Sequence, residues 1–191
     1  MKEYEMIALI GEAGTGKDTI MQKVLLANPQ LVEIISSTTR PPREGEVDGV
    51  NYYFITPEQF AQKVLNGEML EAVCFNDWFY GSDFTNLRKG QIHIGVFNPE
   101  GVEALMADPR LHVTIFRVCA SDKTRLLRQL NREENPDCHE IVRRFGADYL
   151  DFGDLDFPMI IINNEDQDDL IHCTEIITEF INNNLLGKND K

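Results

Sequence analysis

Lys17 ends a short run whose glycine spacing suits one kind of chemistry. Gly11-Glu12-Ala13-Gly14-Thr15-Gly16-Lys17 has the form Gly-x-x-x-x-Gly-Lys, the phosphate-loop pattern up to its last residue. Glycines at these places let backbone N–H groups turn inward around phosphate oxygens. The N-terminus of a following helix adds positive potential, and a lysine supplies a mobile cation for β and γ phosphates. Gly11, Ala13, Gly14, Thr15, Gly16, Lys17, Asp18 and Thr19 are therefore the candidate residues for holding a polyphosphate. One position departs from the pattern: Asp18 stands where serine or threonine normally offers a hydroxyl to Mg²⁺, and Thr19 follows it. A carboxylate is a hard oxygen ligand that Mg²⁺ accepts, so Asp18 and Thr19 are the candidate metal residues.

A second set of residues can bind anions. Arg40 and Arg43 enclose Pro41-Pro42, and two guanidiniums on so stiff a segment suit bidentate recognition of one phosphate group. Arg125, Arg128, Arg132, Arg143 and Arg144 crowd a later segment, where the spacing of Arg128 and Arg132 puts both on one helix face. The plain alternative for any of these is a solvated helix-face charge. His93, His112, His139 and His172 have no neighbours at ligand spacing and are expected to be structural or exposed. Cys74, Cys119, Cys138 and Cys173 lack the paired spacing of a zinc site.

Such residues need elements to position them. Met6 to Ile10 is a short continuous apolar run, suiting a strand covered on both faces, and it leads straight into the glycine loop. Ile20, Met21, Val24, Leu25 and Ala27 then keep helical spacing until Asn28-Pro29. Leu31–Ile35, Tyr52–Ile55, Met69–Phe75, Trp78–Tyr80, Ile92–Phe97, Val113–Val118 and Met159–Ile162 read as further strands, with a polar loop over residues 36 to 49. Thr56, Pro57 and Gln59 predict a capping box, and Phe60, Val64 and Leu65 the buried stripe of the helix it opens. Other helices are expected over Pro99–Met106, from Ser121 to about Glu134, through Ile141, Phe145 and Tyr149 on one apolar face, and from about Asp168 through Ile181. The tail Gly187–Lys191 is expected to be disordered. The alternation of strand and helix predicts an open α/β parallel sheet wrapped by helices, with ligands beyond the carboxyl ends of its strands.

The 191 residues fit a single domain, with 42% apolar and 26% charged residues. No stretch approaches the length of a membrane span. A formal charge of −14 argues against DNA or anionic membranes as partners, whereas a small phosphate-bearing ligand needs only a local cationic pocket. Nothing at the start of the chain has the form of a secretory signal, so a cytoplasmic setting is expected.

The segment Ser36-Ser37-Thr38-Thr39-Arg40-Pro41-Pro42-Arg43-Glu44-Gly45-Glu46-Val47-Asp48-Gly49-Val50-Asn51-Tyr52-Tyr53-Phe54 closely resembles the acceptor-binding signature of guanylate kinases. The resemblance continues through Glu71 and Tyr80-Gly81-Ser82 and is traceable from residue 5 to about residue 180. It implies a P-loop NTPase-type fold with a core at 1–35, 90–120 and 151–187, a small acceptor-binding lobe at 36–89 and a helical lid at 121–150. It also implies transfer of the γ-phosphate of ATP to GMP or dGMP with Mg²⁺, the partners being small-molecule nucleotides. Lys17, Arg40, Arg128, Arg132 and Arg144 would be the catalytic residues. Arg40, Arg43, Tyr52 and Tyr80 would hold the acceptor phosphate, while Ser36, Glu71 and Ser82 would face the base, which Asn98 can also hydrogen-bond as both donor and acceptor. An ionised glutamate accepts from the N1 and N2 donors of guanine, which agrees with that division. The family's Asp-x-Asp pair at the end of the Ile92–Phe97 strand is replaced here by Val96 and Asn98. Two other readings stay open: a kinase of the same fold acting on another monophosphate or a phosphorylated sugar, and a non-catalytic guanylate kinase-like interaction module.

Overall fold

The computed structural model describes residues 3–43, 45–75, 77–132 and 134–186; the tail expected over Gly187–Lys191 lies outside them. β1 (Tyr4–Ile10) leads through the glycine loop into α1 (Lys17–Ala27). Then come β2 (Val32–Glu33), β3 (Ser37–Thr38), β4 (Tyr53–Phe54) and α2 (Pro57–Leu65). β5 (Met69–Phe75), β6 (Trp78–Asp83), β7 (Ile92–Val96) and α3 (Pro99–Ala107) follow. The chain continues with β8 (Leu111–Cys119), α4 (Asp122–Leu130), α5 (Cys138–Asp151), β9 (Ile160–Asn163) and α6 (Gln167–Phe180).

The main sheet has the order β2-β7-β1-β8-β9, and every pairing in it is parallel. The apolar run of β1 explains its central place. Ile7 and Leu9 pack with Ile20 and Val24 of α1 and Ile177 of α6, while Met6, Ala8 and Ile10 pack on the opposite face with Val102 and Leu105 of α3. A strand buried on both faces has no polar side, which is why it reads as a continuous apolar run. The carboxyl end of β1 thus opens onto the glycine loop at one edge of a rigid layer.

A second sheet, ordered β4-β3-β6-β5, is built from the segment between β2 and β7. β6 runs antiparallel to both β3 and β5, whereas β3 and β4 are parallel. α3 packs against β5 and so connects this sheet to the main one.

Some expectations need correction. The strands expected over Leu31–Ile35 and Tyr52–Ile55 shrink to two residues each: the ladders take in Val32–Glu33 and Tyr53–Phe54, while Ile34 and Ile55 add one backbone bond each, to Ile94 O and Thr38 O. The capping box of α2 is present, with Thr56 and Gln59 exchanging bonds of 3.2 and 2.8 Å. Its apolar stripe is narrower than expected: Phe60 is buried against Phe79, but Val64 and Leu65 are exposed. α4 stops at Leu130, short of Glu134. On α5, Ile141 is buried, whereas Tyr149 is exposed and donates its hydroxyl to Asp122 at 3.1 Å. Among the described residues, no helix is long and apolar enough to cross a membrane.

Candidate active site

The glycine loop curls between the end of β1 and the start of α1, and close neighbours explain two of its glycines. Gly14 has φ 85°, and a Cβ there would lie 2.7 Å from the Arg125 carbonyl oxygen. Gly16 has φ 90°, and its Cβ would lie 2.5 Å from Asn164 Nδ2. Both positions combine a left-handed backbone with no room for a side chain. The loop's carbonyls are taken up by its walls. Arg125 Nε donates to Ala13 O at 3.0 Å, Arg128 Nη1 to Gly14 O and Thr15 O at 3.3 and 3.2 Å, and Asn164 Nδ2 to Thr15 O at 2.7 Å. Carbonyl oxygens repel an anion, so engaging them from outside favours an inward face made of amides. Lys17 is half-buried and, among the described residues, in no salt bridge; Asp18 and Thr19 are exposed in the first turn of α1. The Thr15 hydroxyl is buried and donates to Glu12 O at 2.9 Å.

Arg40 is buried against the faces of Tyr52 and Phe54, at 5.6 and 5.8 Å from their ring centroids. Its guanidinium donates to Pro41 O at 2.8 Å and to Glu46 Oε1 at 2.9 Å. The Tyr52 and Tyr80 rings meet edge to face at 6.0 Å. Arg43 lies beyond this cluster and lines, with Arg132 and Arg144, a cavity of about 710 Å³. Desolvation in that cleft, with the like charges of Arg40 and Arg144 nearby, draws the Arg43 pKa below its ordinary value. Burial pushes the Tyr52 hydroxyl up, and the negative charge of Asp18 adds to the effect. Asp18 belongs to the phosphate-loop helix and Tyr52 to the acceptor segment, so the charge of one part of the candidate site is felt in the other.

The remaining acceptor-side residues form a chain of polar contacts. Ser36 Oγ and Ser82 Oγ are 3.0 Å apart, and Ser82 donates both its hydroxyl and its backbone N–H to Glu71. Glu71 is only 7% exposed, and burial lifts its carboxyl to about 7 against those hydrogen bonds. Asn98 caps α3, its Oδ1 accepting the Gly101 N–H at 2.8 Å, which leaves the amide NH₂ as its donor group. Glu71 Oε2 and Asn98 Oδ1 lie 3.4 and 2.9 Å from the point a Gly101 side chain would occupy. Val96 pairs with Leu9 and packs on the core, offering no polar group.

The Guanylate kinase family model matches residues 3–180. The chain belongs to the guanylate kinase family. The guanylate kinase of Wolbachia pipientis wMel is 31% identical over 191 residues, covering 97% of this chain and 93% of that protein. A shorter match to the guanylate kinase of Nostoc sp. is 42% identical over 78 residues, covering 41% of this chain and 39% of that protein. The crystal structure of guanylate kinase from Anaplasma phagocytophilum aligns with the whole chain and 89% of its own, at TM-score 0.67 and 22% identity, which shows the shared fold.

Against that family background, the arginines of the helical segment divide into two groups. Arg128 and Arg132 do not share a helix face: Arg128 lies on α4 and is spent on loop carbonyls, whereas Arg132 lies past the helix end and lines the cavity. Arg144 lines the same cavity and is held by Glu140 at 2.9 Å. Two further residues stand beside the loop: Arg125, which the sequence marks only as one of a crowd of arginines, and Asp148, to which it assigns nothing. Arg125 is 5% exposed and lies over the Phe145 ring at 4.4 Å, and Asp148 accepts both from Arg125 and from the Ala13 N–H. The i,i+3 spacing of Asp122 and Arg125, which pair at 2.8 Å, is a local signal; Asp148 offers none, because its partners are remote in the chain.

Proposed function

We propose that this guanylate kinase family member transfers the γ-phosphoryl group of ATP to the phosphate of GMP or dGMP. The reading is supported by the electrostatic reach from the phosphate-loop helix to the acceptor segment and by the arginines gathered on the acceptor side. Asp18, beside Lys17, acts on Tyr52 of the acceptor segment, and Arg43 shares one cavity with Arg132 and Arg144. In this reading residues 36–89 form the acceptor lobe, 121–150 the lid and the rest the core.

The donor polyphosphate lies on the amides of Gly11 to Thr19 with Lys17 at its β and γ phosphates. The acceptor phosphate lies against Arg40, Arg43, Tyr52 and Tyr80, with Ser36, Glu71, Ser82 and Asn98 at its base. An acceptor phosphate oxygen forms the new bond to the γ-phosphorus as the bridging β–γ P–O bond breaks, and ADP leaves with that electron pair. The oxygen is already a nucleophile near neutral pH, so the protein's work is alignment and charge neutralisation. Arg132 and Arg144 would neutralise charge on the migrating group from the lid side.

Among the described residues no cluster of three or more His, Cys, Asp or Glu could cage a metal. The donors of Asp18 and Thr19 still fit Mg²⁺, which takes one or two carboxylates and completes its shell from phosphates and water. When bound there it would offset negative charge on the phosphate oxygens. The test is ADP release from ATP with GMP, dGMP, AMP, UMP and ribose bisphosphate in turn. Turnover with the guanine nucleotides supports the reading, and turnover with the sugar alone rejects it.

A further inference from the structure

Asp148, a carboxylate of α5, binds a backbone amide of the glycine loop. Its Oδ2 accepts the Ala13 N–H at 3.0 Å, it pairs with Arg125, and the charge of Lys17 bears on it. Ala13 is thereby held from both ends, since its carbonyl accepts from Arg125 Nε at 3.0 Å. A backbone N–H turned toward an anion within the field of a lysine is what a phosphate loop offers a phosphate oxygen. Here the anion is a side chain from α5. Burial pushes this carboxyl up and the Glu12 charge adds to that, while the Ala13 N–H, Arg125 and Lys17 favour its charged form. A polyphosphate arriving at Lys17 brings several more negative charges to the same few ångströms. Two anions at one amide repel, and the one with more charge and more donors to satisfy prevails.

We propose that Asp148 is an internal occupant of the phosphate loop, a carboxylate that holds the Ala13 amide until the polyphosphate of the donor nucleotide displaces it. This rests on the reading above that a polyphosphate lies on the loop. Asp148 is then a positioning residue that sets donor affinity.

The experiment is a calorimetric titration of ATP, ADP, AMP and inorganic tripolyphosphate into the wild-type chain and Asp148→Asn. Asparagine keeps an acceptor for Ala13 and removes the charge. The expected result is tighter binding of ATP and tripolyphosphate by roughly fivefold or more, with AMP unchanged because a single phosphate does not reach Ala13. A merely structural role would loosen the loop and weaken all ligands together. Asp148→Asn that binds ATP no more tightly, with wild-type melting, overturns the inference while leaving the kinase reading intact. A wild-type chain that binds neither ATP nor tripolyphosphate overturns both. Should Asp148→Asn fail to fold, the wild type supplies the answer by NMR. A scalar coupling across the Ala13 N–H···Asp148 hydrogen bond is expected without ligand and lost at saturating tripolyphosphate; its persistence contradicts displacement.

Discussion

Arg40 and Glu46 face each other across the acceptor segment, guanidinium to carboxylate at 2.9 Å, and the second Glu46 oxygen takes the Arg43 N–H at 2.7 Å. One carboxylate therefore sets the pose of both arginines. Burial pushes its carboxyl up, but the bonds from Arg43 and Arg40 outweigh that and hold it below the usual range. Glu46→Gln keeps the shape and loses the charge-assisted contact, so the acceptor KM is expected to rise by roughly threefold to tenfold while the ATP KM stays put. Steady-state kinetics with each substrate varied in turn checks this, and an equal rise in both KM values would show that Glu46 acts on the whole fold.

With Glu71 at the guanine base as proposed, binding is expected to depend on pH near neutrality. Its carboxyl is raised to about 7 by burial, and only the ionised form accepts from both guanine N–H groups. GMP affinity is expected to fall as pH drops from 8 to 6, with a proton released on binding near pH 7. Calorimetry in buffers of different ionisation enthalpy measures both quantities. A flat profile would mean that Glu71 does not meet the base.

The same residue is expected to lower stability at high pH. Its folded pKa of about 7 exceeds the ordinary 4.5, so its contribution is most favourable below pH 4.5 and is lost as pH rises to 7. Without ligand, Glu71→Gln is expected to be more stable than wild type at pH 8 by as much as roughly 3 kcal/mol and to lose that advantage at pH 4.5. Urea unfolding at the two pH values decides the matter.

Asn98→Asp keeps the cap on α3 but places a second carboxylate near Glu71, since both side chains approach the open space at Gly101. Like charge disfavours ionisation, so the midpoint of the GMP-binding profile is expected to move up by roughly half a pH unit or more. An unmoved midpoint would separate the two residues.

Gly14→Ala combines a φ of 85° with a 2.7 Å approach to the Arg125 carbonyl, and backbone cannot yield as a side-chain tip can. A loss of roughly 1–3 kcal/mol in stability is expected, with ATP binding weakened at least tenfold. Thermal melting and ATP titration check the two effects separately.

The central strands and the phosphate loop were legible in the sequence because their signals are local. Met6 to Ile10 is apolar without interruption, and Gly16-Lys17 follows at fixed spacing. The capping box at Thr56 was legible for the same reason. What escaped depended on contacts between distant residues. Val64 and Leu65 have helical apolar spacing, but α2 turns Phe60 to its sheet, against Phe79, and leaves the other two exposed. Arg128 and Arg132 are four apart, yet α4 ends between them. Asp148 reaches Ala13 across 135 residues, a distance over which no spacing rule operates.

The claim on which the rest depends is that the phosphate loop and the arginine cleft open onto one space. A pentaphosphate joining adenosine to guanosine spans both halves of such a site. It is expected to bind more tightly than ATP or GMP, to compete with both, and to lose affinity in Lys17→Met and in Arg43→Met alike. Competition with ATP alone, indifferent to Arg43→Met, would contradict the account.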